Sequence, residues 1–216
     1  AAAGICGAAG LAALYTALAT TVVAVASPVA AVVGAVIPVA LGVASGERPS
    51  ALAWVGIAVT LPAIVLLTTG SSPGAGAGSS RRAALLGTGA GIGFGLFFFA
   101  VSRTAPGSGL WPLVAARVST IALIGLAAAV TGRTLRPARE GRGALLAVGT
   151  LDMGANIAFL LASRTGMLSI AAAVAALSPG PPVLLARVVL RQRLPPLQIA
   201  ALALALAGVA LISAGK

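Results

Sequence analysis

The 216-residue chain has no histidine, one cysteine and three acidic residues, and only 8% of its residues are charged. Each shortage excludes a kind of chemistry. Without histidine, and with Cys6 alone, the chain cannot itself build a His/Cys zinc site, a haem histidine ligand or a Cys–His dyad. Cys6 has no partner for an internal disulfide, and neither a metal nor a cofactor is expected. A soluble domain carries about 25% charged residues, so this chain cannot clothe a water-facing surface in the usual way. Asp152 is the one acid inside an apolar run. A membrane-embedded enzyme would need paired carboxylates or an activated nucleophile, and neither is evident.

What the chain has instead is hydrocarbon. Hydrophobic residues make up 59% of it, and the mean hydropathy is +1.10. Apolar runs fall at 4–19, 22–45, 51–69, 83–102, 110–131, 143–163, 167–190 and 195–214. A helix of about 20 residues, rising 1.5 Å per residue, crosses a hydrocarbon core of about 30 Å. The pattern predicts an all-α polytopic membrane protein with eight transmembrane helices. Polar breaks such as Ser45-Gly46-Glu47-Arg48-Pro49-Ser50 and Ser102-Arg103-Thr104-Ala105-Pro106-Gly107 separate most runs, and Thr20-Thr21 is the weakest of them. The Gly/Ser-rich stretch within 70–82 predicts a flexible linker. No basic region precedes the first apolar stretch, so no signal peptide is expected.

Fourteen basic residues against three acidic give a net charge of +11. Most arginines sit in short connections between apolar runs, which points to lipid headgroups rather than to nucleic acid. Connections on one side of the membrane hold Arg81, Arg82, Arg133, Arg136, Arg139, Arg142, Arg191 and Arg193; the other side holds Arg48, Arg103, Arg164 and Lys216. Loop charge therefore favours the first side as cytoplasmic, with Lys216 outside.

An internal repeat is the strongest organising signal. A shift of 145 residues lays 13–44 on 158–189 and 52–68 on 197–213, with Arg48 falling on Arg193 and Leu52 on Leu197. The first helix matches the sixth, and five crossings separate them, so equivalent helices run in opposite directions. That is an inverted-topology repeat, a design common among secondary transporters. It divides the chain into a first repeat at 1–69, a linker at 70–82 and a second repeat at 83–216. Counterparts of the fourth and fifth helices would lie upstream of Ala1, and the parent is expected to have ten helices.

These features resemble the EamA family of the drug/metabolite transporter superfamily. The matching stretches are Gly46-Glu47-Arg48, Gly149-Thr150-Leu151-Asp152-Met153-Gly154-Ala155-Asn156, Ser178-Pro179, and Ala207-Gly208-Val209-Ala210-Leu211. Ser108-Gly109-Leu110-Trp111-Pro112-Leu113 matches more loosely. Two departures stand out: Arg191-Gln192-Arg193 replaces a second Gly-Glu-Arg, and Ser178-Pro179-Gly180-Pro181-Pro182 is richer in proline than the family pattern. The resemblance implies a secondary transporter in the cell membrane that moves a small metabolite or drug-like compound. A non-transporting membrane fragment or assembly subunit is the alternative. Family members are often drawn with cytoplasmic ends, against the loop-charge orientation. Expected partners are membrane lipid, a small-molecule solute and, as a candidate, a second copy forming a homodimer, with no nucleic acid.

The substrate-cavity candidates are Asp152, Asn156, Arg117, Tyr15, Pro38, Ser178, Pro179 and Pro182. A carboxylate in mid-membrane costs about 2.5 to 3.5 kcal/mol on insertion scales and faces a partner or water. Asp152 lies about nine residues into its run, roughly 13 Å deep at 1.5 Å per residue. Asn156 is one turn further along the same face, and Arg117 enters from the opposite side to a similar depth. A structural ion pair that only locks two helices together is the competing reading for Asp152 and Arg117. Proline removes a backbone hydrogen bond, and freed groups in lipid need protein or a water-filled cavity. Pro38 falls next to Pro182 under the shift, so a paired interruption of two equivalent helices is expected. Gly87, Gly91 and Gly95, with Gly89 and Gly93, form two rows that suit close helix packing. Trp111 fits the interface, and Tyr15 is left as a cavity residue. Glu47, beside Arg48, reads as a local charge cluster at a helix end.

Overall fold

A computed structural model describes residues 2–20, 23–69, 77–132, 142–175 and 196–214. Its helices are α1 (Ala2–Thr20), α2 (Val23–Ala44), α3 (Ala51–Thr69), α4 (Ala77–Ser102), α5 (Trp111–Thr131), α6 (Arg142–Thr165), α7 (Leu168–Ala175) and α8 (Pro196–Ala214), with a 3-10 turn at Pro106–Ser108. Among the described residues there is no strand. Four stretches among the described residues are long and apolar enough to cross a membrane: Val25–Ala44, Arg81–Ser102, Trp111–Thr131 and Leu145–Thr165. Shorter apolar stretches occupy α1, α3 and α8. α3 coincides with the run expected at 51–69. α4 begins at Ala77, so 77–82 of the expected linker are helical, while 70–76 lie outside the described residues.

Glycine sets how the helices meet. α4 stands between α1 and α2, and its two glycine rows serve different neighbours. A Cβ at Gly87 would lie 2.6 Å from the Ala26 carbonyl oxygen, at Gly91 2.6 Å from Val33 Cβ, and at Gly95 2.7 Å from Ile37 Cβ, all on α2. A Cβ at Gly93 would lie 2.6 Å from Gly10 Cα on α1. Lipid tails are as apolar as leucine, so helices in a bilayer associate through close backbone approach and dispersion, which small residues permit. α3 and α8 pair in the same way. Gly56 and Gly208 face each other there, and a Cβ on Gly208 would be 3.1 Å from the Gly56 carbonyl oxygen.

α2 runs from Val23 to Ala44 without a break through Pro28 and Pro38. Pro38 is fully buried, and the bare Cα of Gly95 leaves room for its ring, since a Cβ there would be 3.3 Å from Pro38 Cδ. The interruption expected at Pro38 is thus absorbed in a packed seam.

At the end of α2 the chain turns through Gly46, whose φ of +99° suits a residue without a side chain. The turn brings the Glu47 carboxylate to the start of α7. Leu168 N–H donates to Oε1 at 2.7 Å, Ser169 N–H donates to Oε2 at 2.9 Å, and the Ser169 hydroxyl donates to Oε2 at 2.7 Å. A carboxylate here satisfies backbone donors that a helix start leaves orphaned, and it complements the helix dipole. Glu47 is therefore a long-range cap and not the local charge cluster expected beside Arg48.

At the same end of the bundle, Arg164 in the last turn of α6 holds the α4–α5 connection. It donates to the Gly109 carbonyl at 2.8 Å, the Ser108 hydroxyl at 3.0 Å and the Ala105 carbonyl at 3.3 Å. Hydrogen bonds from a charged donor contribute about 1.5 to 3 kcal/mol each when well made. Arg164→Leu should therefore lower stability by about 2 kcal/mol. The expected readout is an earlier thermal unfolding midpoint in detergent, with faster proteolysis confined to residues 103–110; an unchanged midpoint and cleavage pattern would contradict the clamp.

Candidate functional site

A cavity of about 1060 Å³ opens between α1, α2, α4, α5, α6 and α7, with Val209 of α8 completing its lining. Ligand pockets run to about 300–1,000 Å³, so this one is large enough for a small organic solute. Four of the chain's five phenylalanines line it, Phe94, Phe97, Phe98 and Phe159. Phe98 and Phe159 have ring centroids 4.4 Å apart, and Phe97 meets Phe98 edge to face at 5.4 Å. α4 turns these rings inward because its glycines are committed to α1 and α2, which fixes the rotation of the helix about its axis.

The polar part of the wall comes from α5 and α6. Arg117, Thr120, Asp152 and Asn156 all line the cavity. Arg117 Nη2 and Asp152 Oδ2 form an ion pair. Their side chains are 34% and 53% exposed, so the pair is open to whatever fills the space. Asn156 Nδ2 donates to the Asp152 carbonyl oxygen at 2.7 Å, one turn back on α6. Its other amide atom, Oδ1, is an acceptor. The Thr120 hydroxyl donates to the Gly4 carbonyl at 3.1 Å, tying α5 to α1 in the cavity wall. Close approach allows this bond, because a Cβ on Gly4 would fall 2.5 Å from the Ala116 carbonyl oxygen.

Three of the residues singled out from the sequence, Asp152, Asn156 and Arg117, are thus brought together at one wall. Tyr15 is elsewhere: it lies one turn beyond Leu11, is 65% exposed and is not among the lining residues. Pro38 is in the α2–α4 seam and does not line the cavity either. Ser178, Pro179 and Pro182 lie outside the described residues. Sequence reasoning passed over the phenylalanines and Thr120. The run Phe97-Phe98-Phe99 reads as lipid-facing filler until the glycine rows are used to orient α4. Among the described residues, no group of three or more His, Cys, Asp or Glu side chains comes together.

Among the described residues the chain is a bundle of apolar helices around a cavity that holds the Arg117–Asp152 ion pair, which fits a multi-pass membrane protein. The model of the EamA-like transporter family matches residues 81–214. The chain belongs to that family, which is part of the drug/metabolite transporter superfamily and whose members are transporters. No curated protein matches it. A crystal structure of a protein has a similar fold: TM-score 0.79 at 19% sequence identity, covering 98% of this chain and 76% of that one.

Proposed function

We propose that the chain is a secondary transporter that carries a small metabolite or drug-like compound across the cytoplasmic membrane through the cavity holding Arg117, Asp152 and Asn156. The observation that carries this reading is the exposed ion pair inside an aromatic-lined cavity of solute size. A polar pair in mid-membrane is costly unless it faces water or a ligand. In this reading all eight helices cross the membrane, in two inverted repeats at 1–69 and 83–216. The helix bounds support that register. α1 and α6 end at Thr20 and Thr165, α2 and α7 begin at Val23 and Leu168, and α3 and α8 span 51–69 and 196–214. Each of these pairs differs by the 145 residues of the sequence shift.

The wall also narrows the solute class. Phenylalanine rings suit an aromatic or branched apolar body. The charged pair suits a solute that carries both signs, or neither. A solute with one charge would satisfy one partner and leave the other without its counter-ion, which is expensive once the solute has displaced the water around the pair. The test is uptake and efflux in liposomes carrying the protein, with a panel matched in size and differing in charge. Neutral and zwitterionic aromatic solutes should move at least about tenfold faster than singly charged analogues, the ratio set by about 1.4 kcal/mol of lost pairing. If folded protein moves no member of the panel, the transporter reading fails. Preference for one charge sign would overturn only the solute class.

A further inference from the structure

We propose that Glu47 is a latch that shuts the cavity at the end of the bundle where α2 finishes and α7 begins. This deepens the transporter reading above and rests on it. Both helices are cavity walls: α2 contributes Ala30, Ala31 and Gly34, and α7 contributes Ile170, Ala171 and Val174. Opening the cavity at this end means drawing the end of α2 away from the start of α7. Besides the buried apolar cluster that joins Val39 to Leu168 and Ala171–Ala173, the groups that oppose that separation are the three donors on the Glu47 carboxylate, from Leu168 N–H, Ser169 N–H and the Ser169 hydroxyl.

The latch is built rather than incidental. Gly46 at φ +99° aims Glu47 back along α2, and the space its carboxylate occupies is kept by Gly42, where a Cβ would fall 2.7 Å from Oε2. Glu47 N–H also donates to the Gly42 carbonyl at 3.1 Å, which fixes the turn itself. Ser169 is fully buried beneath the carboxylate. Charge-assisted hydrogen bonds of this kind are shorter and roughly twice as strong as neutral ones.

The repeat makes the device one-sided. Under the 145-residue shift Glu47 corresponds in the sequence to Gln192, and Ser169 to Ala24. A neutral amide replaces the carboxylate, and the hydroxyl donor is gone. The protein is therefore biased to rest closed at the Glu47 end. Leaving that state costs three charge-assisted bonds, and the sequence supplies no equivalent set at the other end. Solute enters and leaves the opposite end under the weaker constraint, and breaking the latch is the costly step of the cycle.

Thiol accessibility tests this on the full chain, without any solute. Cys6→Ala removes the native thiol, and Ala155→Cys places one in the cavity wall near the middle of α6. A membrane-impermeant maleimide is applied to vesicles of each orientation. Glu47→Gln should raise the labelling rate from the latch side about tenfold, and Ser169→Ala, which removes one donor of three, about threefold. Labelling from the opposite side should fall in both. Unchanged rates in either variant, with the protein present at normal abundance, would overturn the latch. Should Glu47→Gln fail to accumulate, Ser169→Ala decides alone. Transport by the protein with Glu47 intact, measured in the same vesicles, reports separately on the transporter reading.

Discussion

Gly93→Leu should remove almost all folded protein from the membrane. A Cβ at this position would lie 2.6 Å from Gly10 Cα and 2.7 Å from the Cys6 carbonyl oxygen, both backbone atoms of α1. Neither can rotate away, as the end of a side chain could. Moving α1 outward would break the Thr120–Gly4 hydrogen bond and the contact between Gly4 and α5. Moving α4 the other way would drive Gly91 into Val33, where a Cβ already has no room. Overpacking a core usually costs about 1 to 3 kcal/mol, and here both escape routes are closed, so the cost should sit at or above the top of that range. The measurement is the monodisperse peak of a fluorescent fusion on size exclusion after mild extraction, expected to drop more than about tenfold. Gly89→Ala is the control. Its nearest neighbour would be Ala13 Cβ at 3.9 Å, an ordinary contact, and the peak should persist. A normal peak for Gly93→Leu would show that the α1–α4 seam is looser than its geometry.

Asp152→Asn should slow transport at least about tenfold while leaving the protein in the membrane. The side chains of Asp152 and Arg117 are 53% and 34% exposed, so the pair contributes little to folding, as partly solvated ion pairs do. Its loss should leave abundance close to that of the unaltered chain. Transport is different, because the solute meets the pair with fewer competing partners, and removing one member leaves the other uncompensated. The expected fall is about tenfold to a hundredfold in the ratio of maximal rate to half-saturating concentration. Arg117→Gln should do the same. The double variant separates two roles. If the pair only locked α5 to α6, each single variant would lose abundance and the double would regain it together with transport. If it meets solute, the double variant stays abundant and inactive. Full transport in Asp152→Asn would remove it from the solute path.

The sequence carried the helices further than it carried the site, for reasons that differ residue by residue. Ser45-Gly46-Glu47-Arg48-Pro49-Ser50 ends one apolar run and begins another, and α3 starts at Ala51 as that break requires, because proline and glycine are local instructions. The start of α4 was less legible. Gly/Ser composition at 70–82 reads as linker, but once an apolar helix is nucleated it extends backwards one residue at a time at little cost, and it reaches Ala77. Asp152 and Asn156 share a face by spacing alone, and Arg117 meets them by depth. Tyr15 could not be placed by such counting, since depth does not give rotation. Glu47 was beyond reach: its donors are 121 and 122 residues away, and nothing in its neighbourhood names them.

The double seam along α4 also governs how such a molecule can change shape. With backbone pressed on backbone on two sides, α4 can neither roll nor tilt against α1 or α2 without collision. The three therefore travel as one block. α3 and α8, locked glycine to glycine, form a second block. Among the described residues, the connections at 45–50 and 103–110 join these blocks to their neighbours, and each is held by its own hydrogen bonds, from Glu47 N–H to the Gly42 carbonyl and from Arg164 to the Gly109 carbonyl, so a large hinge-type movement has to release them. The tempo of such a machine is that of collective domain motion, microseconds to milliseconds, and no side chain in the block interiors has to repack for it to run.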